Sequence, residues 1–341
     1  VRRAGRRKNS SATMSAAAEF FSHCCTGFQL QSKCFSRKDR TMNKLSAYIK
    51  SMRLRTLPLS LSGVCLGMML AYADYRFSLS TALWIMLTTV CLQILSNIAN
   101  ELGDTLSGVD GDQRVGPQYS LGEGGLTVRN MKWFIIVVAL CCIGSGLMMI
   151  RSSFGTLFSL ESICLMMLGA AAMGGAIKYT LGRNPYGYRG LGDISVFTFF
   201  GIVSVLGAYF VAAREIPGWI MVLPATAIGC FSVAVLNVNN IRDMKTDAVN
   251  RVTVAIKLGM KGARIYQTIL VTLGWALILV FCAVYDFAPG HYIFIITLPL
   301  YIKHLQGVWT RSERALDPML PMLVISTFFL SILAGAGFLI F

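Results

Sequence analysis

Asn100-Glu101-Leu102-Gly103-Asp104 closes one long apolar run of this 341-residue sequence, and Asn239-Asn240-Ile241-Arg242-Asp243 closes another about 140 residues later. The runs are Trp84 to Ile98 and Trp219 to Val238, so both motifs stand where an apolar helix reaches water. In each, the Asn and the Asp are spaced i, i+4, which sets both side-chain oxygens on one helix face. A further carboxylate follows each copy, Asp110 in the first and Asp247 in the second. Acidic residues near a helix end often just face solvent. Against that stands the helix macrodipole, whose negative pole at the C-terminus disfavours a carboxylate unless a cation compensates. Two such clusters therefore point to a bound cation. All-oxygen ligands suit Mg²⁺, which takes one or two carboxylates and fills its shell with water and substrate phosphates.

The chain is 55% hydrophobic and 14% charged, too apolar for a soluble domain of its size. It reads as an all-α membrane protein, a bundle of nine transmembrane helices near 56–73, 79–99, 131–150, 157–177, 193–213, 218–238, 265–285, 290–302 and 318–340, the eighth being shortest. From residue 42 onward, the segments on the side of the N-terminus carry nineteen Lys and Arg, and the opposite side only Arg76, Arg151 and Arg214. By the positive-inside rule the N-terminus and both acidic motifs face the cytoplasm, and Phe341 lies outside. The net charge of +15 is then mostly a topology signal, and no nucleic-acid partner is needed to explain it. Residues 42–341 form one membrane domain. Residues 1–41 hold nine Lys/Arg against two acids and no spanning run, and read as a disordered basic leader. Met42 is the preferred start over an organelle transit peptide. The ten cysteines include no CxxC and mostly lie within spans, as small packing residues do.

Tyr48 to Leu57 reads as a basic amphipathic segment lying in the membrane interface, with Arg53 and Arg55 anchoring it to headgroups. The glycine-rich loop 104–130 is long enough to be functional, and from it Arg114 can reach a diphosphate. The segment from Lys178 to Asp193 offers a Lys, two Arg and three Tyr on the side of the acidic motifs, as a site for an aromatic anion would. Lys178 also suits an interfacial anchor, and Asp193 a helix cap. Arg242, Lys245 and Arg251 place further cations around the second motif.

The two patterns NxxxDxxxxxD and NxxxDxxxD, at the ends of the second and sixth of nine helices, resemble the UbiA superfamily of intramembrane aromatic prenyltransferases over nearly all of residues 44–341. Leu95-Ser-Asn-Ile-Ala-Asn100, Gly108-Val-Asp110, Lys178-Tyr179-Thr, Asn184-Pro-Tyr-Gly-Tyr-Arg-Gly-Leu-Gly-Asp193 and Asn237-Val-Asn-Asn-Ile-Arg-Asp243 resemble the branch that prenylates 1,4-dihydroxy-2-naphthoate. Two stretches depart from the family's usual pattern, Gln118-Tyr-Ser-Leu-Gly-Glu-Gly-Gly and Asn250-Arg-Val-Thr-Val-Ala.

The resemblance implies a Mg²⁺-dependent transfer of a polyprenyl chain from its diphosphate to the aromatic acid, with loss of diphosphate and CO₂, giving demethylmenaquinone. It implies metal ligands at Asn100, Asp104, Asp110, Asn239, Asp243 and Asp247, and diphosphate contacts at Arg114, Lys178, Arg242 and Lys245. Tyr179, Arg189 and Asp193 would hold the acceptor, with Lys178, Tyr179 and Asp193 in the chemistry. The place implied is a bacterial cytoplasmic membrane, with no obligatory protein partner. Another aromatic acceptor such as 4-hydroxybenzoate is the near alternative. A cation transporter is the distant one, disfavoured because both acidic clusters lie on one side, whereas a repeat-derived transport site sits near the midplane.

Overall fold

A computed structural model describes residues 43–108, 120–121, 125–248, 251–285 and 287–341. Asp110, Arg114 and the leader lie outside them. The elements follow the apolar runs. A short helix α1 (Lys44–Ser51) leads through a turn, with Arg53 in the left-handed region (φ 50°), into α2 (Leu57–Asp74), whose first turn carries Pro58. Then come α3 (Leu79–Leu106), α4 (Val128–Phe154), α5 (Leu160–Lys178), α6 (192–213), α7 (Val222–Asp247), α8 (Val254–Tyr285), α9 (Leu298–Thr310) and α10 (Met319–Ile340). Ser78, Thr127 and Ser159 cap α3, α4 and α5, each accepting from the backbone N–H three residues on.

Eight helices among the described residues are long and apolar enough to cross a membrane, which makes the chain a multi-pass membrane protein. The ninth expected span differs in kind: Pro289–Thr297 is a 3₁₀ helix that continues as α9. The 3₁₀ stretch buries His291, Phe294 and Thr297, one side chain per three-residue turn. With α9 it reaches about 37 Å by the rise of the two helix types. A second difference concerns α8, which starts at Val254 rather than near 265. Its first turns are basic and interfacial, and they bend into the apolar part at Gly259, whose φ of 67° breaks the helical run.

Helix α7 is the axis of the bundle. Ala225, Ile228, Phe231, Ala234 and Val238 are sealed on its successive faces. Phe231 meets Tyr301 of α9 at 5.0 Å between ring centroids, and Trp275 of α8 meets Tyr301 edge-on at 5.3 Å, so one aromatic cluster joins three helices. Gly201 of α6 lies against Gly229 of α7 so closely that a Cβ there would sit 2.5 Å from the Gly229 Cα. That approach falls in a π-helical stretch, Phe197–Val203. The outermost helix, α5, buries only Ser162. Between it and the bundle, α2 to α6 line a partly open apolar cavity of about 650 Å³.

Candidate active site

Helix α3 continues through the first motif, so Asn100 and Asp104 lie one turn apart on one face. The loop after α5 lies flush on that turn: a Cβ on Gly103 would sit 2.5 Å from Thr180 Oγ1. Thr180 Oγ1 donates toward Ala99 O at 3.1 Å and Asn100 Oδ1 at 3.2 Å. Asn184 (φ 55°) and Gly190 (φ 82°) then bend the loop back. The bend delivers Tyr188, whose hydroxyl donates to Asp104 Oδ1 at 2.7 Å and lies 3.0 Å from Ser107 Oγ. Behind it, Val252 N–H donates to Tyr188 O at 2.9 Å and Arg189 bridges Val252, so the loop is stitched to the segment that follows α7.

That stitching brings in Arg251. Its Nη2 donates to Asp104 Oδ1 at 2.7 Å, its guanidinium covers the Tyr188 ring at 4.9 Å, and its Nε stands 3.8 Å from Asp247 Oδ1. Burial pulls the Arg251 guanidinium down, but the charges of Asp104 and Asp247 outweigh it and hold it above its ordinary value. Burial, joined by the Asp104 charge, pushes the Tyr188 hydroxyl up, so it remains a donor. At the far end of the long loop, Leu121 N–H donates to the buried Glu101 at 2.9 Å. Ser120 donates to Ala47 O, tying that end to α1.

The second motif carries its own counter-ion. Arg242 Nε and Nη2 donate to the two oxygens of its neighbour Asp243 at 2.8 and 2.6 Å, a bidentate pair. The same guanidinium donates to Asn239 Oδ1 at 2.8 Å and to Asp317 Oδ1 at 3.1 Å. Only 4% of the Arg242 side chain is exposed. Lys245 pairs at the surface with Glu313. Two of the four cations expected around a diphosphate, Arg242 and Lys245, are thus engaged by protein carboxylates.

Asp193, in the first turn of α6, is buried and accepts from Tyr266 of α8 at 3.0 Å. Tyr179 packs edge-on against Tyr186 at 5.3 Å, and Tyr186 donates to Gly175 O at 2.9 Å. Burial pushes the Tyr179 hydroxyl up, keeping it a phenol. Tyr179, Tyr186 and Ser195 are among the polar residues that line the apolar cavity. Lys178 and Arg189 are exposed at the rim. Tyr188, Arg251, Thr180, Tyr266 and Asp317 complete the site, and none of the five was among the predicted site residues.

The donors suit a hard divalent cation: carboxylates at Asp104 and Asp243, amide oxygens at Asn100 and Asn239, all at one end of the bundle. Among the described residues no three Asp, Glu, His or Cys side chains converge, because Arg242 and Arg251 stand between the carboxylates as counter-ions. Asp104 Oδ2 takes no hydrogen bond from a described residue, so the first motif keeps a donor oxygen of the right hardness, whereas both Asp243 oxygens and Asn239 Oδ1 already accept from Arg242.

Residues 60–334 match the model of the UbiA prenyltransferase family. The chain belongs to that family. A protein of Haemophilus influenzae named 1,4-dihydroxy-2-naphthoate octaprenyltransferase is 35% identical over 301 residues, covering 87% of this chain and 97% of that protein. One of the same name from Escherichia coli is 37% identical over 294 residues, covering 84% of this chain and 91% of its own length. The apo structure of a UbiA homolog from Aeropyrum pernix K1 matches with a TM-score of 0.63 at 17% identity, covering 84% of this chain and 98% of that one, so the UbiA fold is shared.

Proposed function

We propose that this UbiA-family protein transfers a polyprenyl chain from its diphosphate to 1,4-dihydroxy-2-naphthoate. The observation that carries the reading is the likeness to two octaprenyltransferases of that name across most of the chain. The apolar cavity whose lining includes Tyr179 and Tyr186, on the loop that docks against Asn100 and Asp104, supports it, since a prenyl chain needs such a cavity.

Asn100, Asp104, Asp110, Asn239, Asp243 and Asp247 would hold Mg²⁺. When bound, the ion supplies Lewis-acid neutralisation of the leaving diphosphate. Arg242 holds Asp243 and Asn239 in place rather than meeting substrate, while Arg114 and Lys178 are the candidates for outer diphosphate contacts. The cavity wall keeps water from the allylic cation that forms when the C–O bond breaks. Tyr179, Arg189 and Asp193 orient the aromatic acid, Asp193 being fixed by Tyr266. The ring carbon bearing the carboxylate forms the new C–C bond. Loss of CO₂ then returns the electron pair of the C–carboxylate bond to the ring, so the immediate product is a prenylated dihydroxynaphthalene, at the demethylmenaquinol level, and no oxidant is consumed. Oxidation to demethylmenaquinone follows outside the site. By the Lys/Arg asymmetry the motif end faces the cytoplasm, in the inner membrane of a bacterium.

Membranes carrying the full chain, given labelled octaprenyl diphosphate, Mg²⁺ and a panel of aromatic acids, test the proposal. Prenylated product from dihydroxynaphthoate is expected. Product from 4-hydroxybenzoate alone would overturn the acceptor, and no product from any aromatic acid would overturn the enzyme reading.

A further inference from the structure

Arg251 is the one side chain among the described residues that is ion-paired with both acidic motifs, through Nη2 on Asp104 and Nε toward Asp247. It is held from three sides, by Asp104, by the face of Tyr188 and by its own N–H on Asp247 O. Its Nε is nevertheless sealed from solvent and donates to no described residue, Asp247 Oδ1 at 3.8 Å being beyond hydrogen-bond reach. A buried N–H without an acceptor is unfavourable, and such a group calls for an explanation, a bound ion or a role in the reaction among them. A guanidinium edge with one N–H engaged and one waiting is the half-filled form of the fork that grips phosphate oxygens.

The two arginines of the site differ in this respect. Arg242 cannot turn away without stranding the buried Asp243. Arg251 has an unused donor and 17% of its side chain exposed, and Asp104 would keep the Tyr188 hydroxyl if the guanidinium left.

We propose that Arg251 is an exchange residue. In the ligand-free chain it stands as the cation at Asp104; when a diphosphate enters with its metal, the guanidinium passes along the Tyr188 ring from Asp104 to a diphosphate oxygen. Asp104, whose Oδ1 is neutralised by Arg251 while Oδ2 stays open, thereby offers its full charge to the metal only when the diphosphate is present, and free metal is held more weakly. This rests on the assignment of Asp104 and Asp243 as metal carboxylates.

The test needs no turnover. Mn²⁺ retained by the purified full chain is measured by equilibrium dialysis, with and without inorganic pyrophosphate. Wild type is expected to bind Mn²⁺ about tenfold more tightly with pyrophosphate, the equivalent of one charge-assisted hydrogen bond. Arg251→Gln is expected to retain more Mn²⁺ than wild type without pyrophosphate and to lose the enhancement. Arg251→Lys, which keeps the charge without the fork, is expected to show the enhancement reduced severalfold, and it reads the same quantity if the Gln variant does not fold. Equal retention by wild type in both conditions, or a full enhancement in either variant, overturns the exchange. Asp104→Asn and Asp243→Asn separate the two levels of the argument. If both keep wild-type retention, the metal assignment fails and takes the exchange with it; if both lose it while Arg251→Gln keeps the enhancement, the exchange alone fails.

Discussion

The two acidic motifs share a spacing but not a way of being held. At the second motif the counter-ion is the residue next to the carboxylate: Arg242 clamps Asp243 with two bonds and reaches Asn239 and Asp317 from the same buried position. At the first motif the counter-ion comes from 147 residues away, and Arg251 reaches Asp104 only because Tyr188 is docked against Val252. The difference teaches that one half of the site is built into α7, while the other is assembled by loops. The half assembled by loops is the one that can change when substrate binds.

This contrast can be broken by substitution, most severely at the buried pair. Arg242→Met leaves Asp243 without its guanidinium, and the expected loss is about 3–5 kcal/mol of stability, read as a large fall in the melting temperature of the detergent-solubilised chain. Adding Asp243→Leu should recover much of that stability without restoring activity. Gly103→Val forces the Thr180 loop off α3. A loss of about 1–3 kcal/mol is expected, with Tyr188 and Arg251 withdrawn from Asp104, so the donor KM should rise more than the acceptor KM. Tyr188→Phe removes one hydrogen bond to Asp104 and should cost about 1 kcal/mol, with a severalfold rise in donor KM and little change in kcat. Lys245→Gln removes an exposed pair with Glu313, and neither the melting temperature nor the activity should move. A Lys245 variant with a large donor defect would instead place that lysine on the diphosphate.

Most of the scaffold was legible in the chain. The apolar runs located every long helix, and the i, i+4 spacing of Asn100 with Asp104 and of Asn239 with Asp243 set each pair on one face before any coordinates. The basic start of α8 was missed because hydropathy marks only its apolar part, and the kink at Gly259 hides the join. The 3₁₀ stretch before α9 looked like a short span because apolarity does not distinguish helix types. Tyr188 and Arg251 were legible as members of a polar loop and of the cations near the second motif, but not as partners of Asp104, for a different reason. Their partner Asp104 is fixed by loop docking, and nothing in the local spacing of Asn184-Pro-Tyr-Gly-Tyr-Arg or Asn250-Arg-Val-Thr reveals which side chain turns inward. Signals were present: a tyrosine between two turn-forming residues, and a lone arginine just beyond an Asp motif. The clamp of Arg242 on Asp243 was not legible because adjacency in sequence does not disclose burial.

The central claim is that both motifs serve one diphosphate. The most direct measurement is Mg²⁺-dependent prenylation of dihydroxynaphthoate by membranes bearing wild type, Asp104→Asn or Asp243→Asn at matched protein levels. The expected result is a fall of about 10²- to 10³-fold in each single variant, with the double variant no worse than the weaker single one. Near-normal turnover in either single variant would show that its motif lies outside the reaction and would contradict the account.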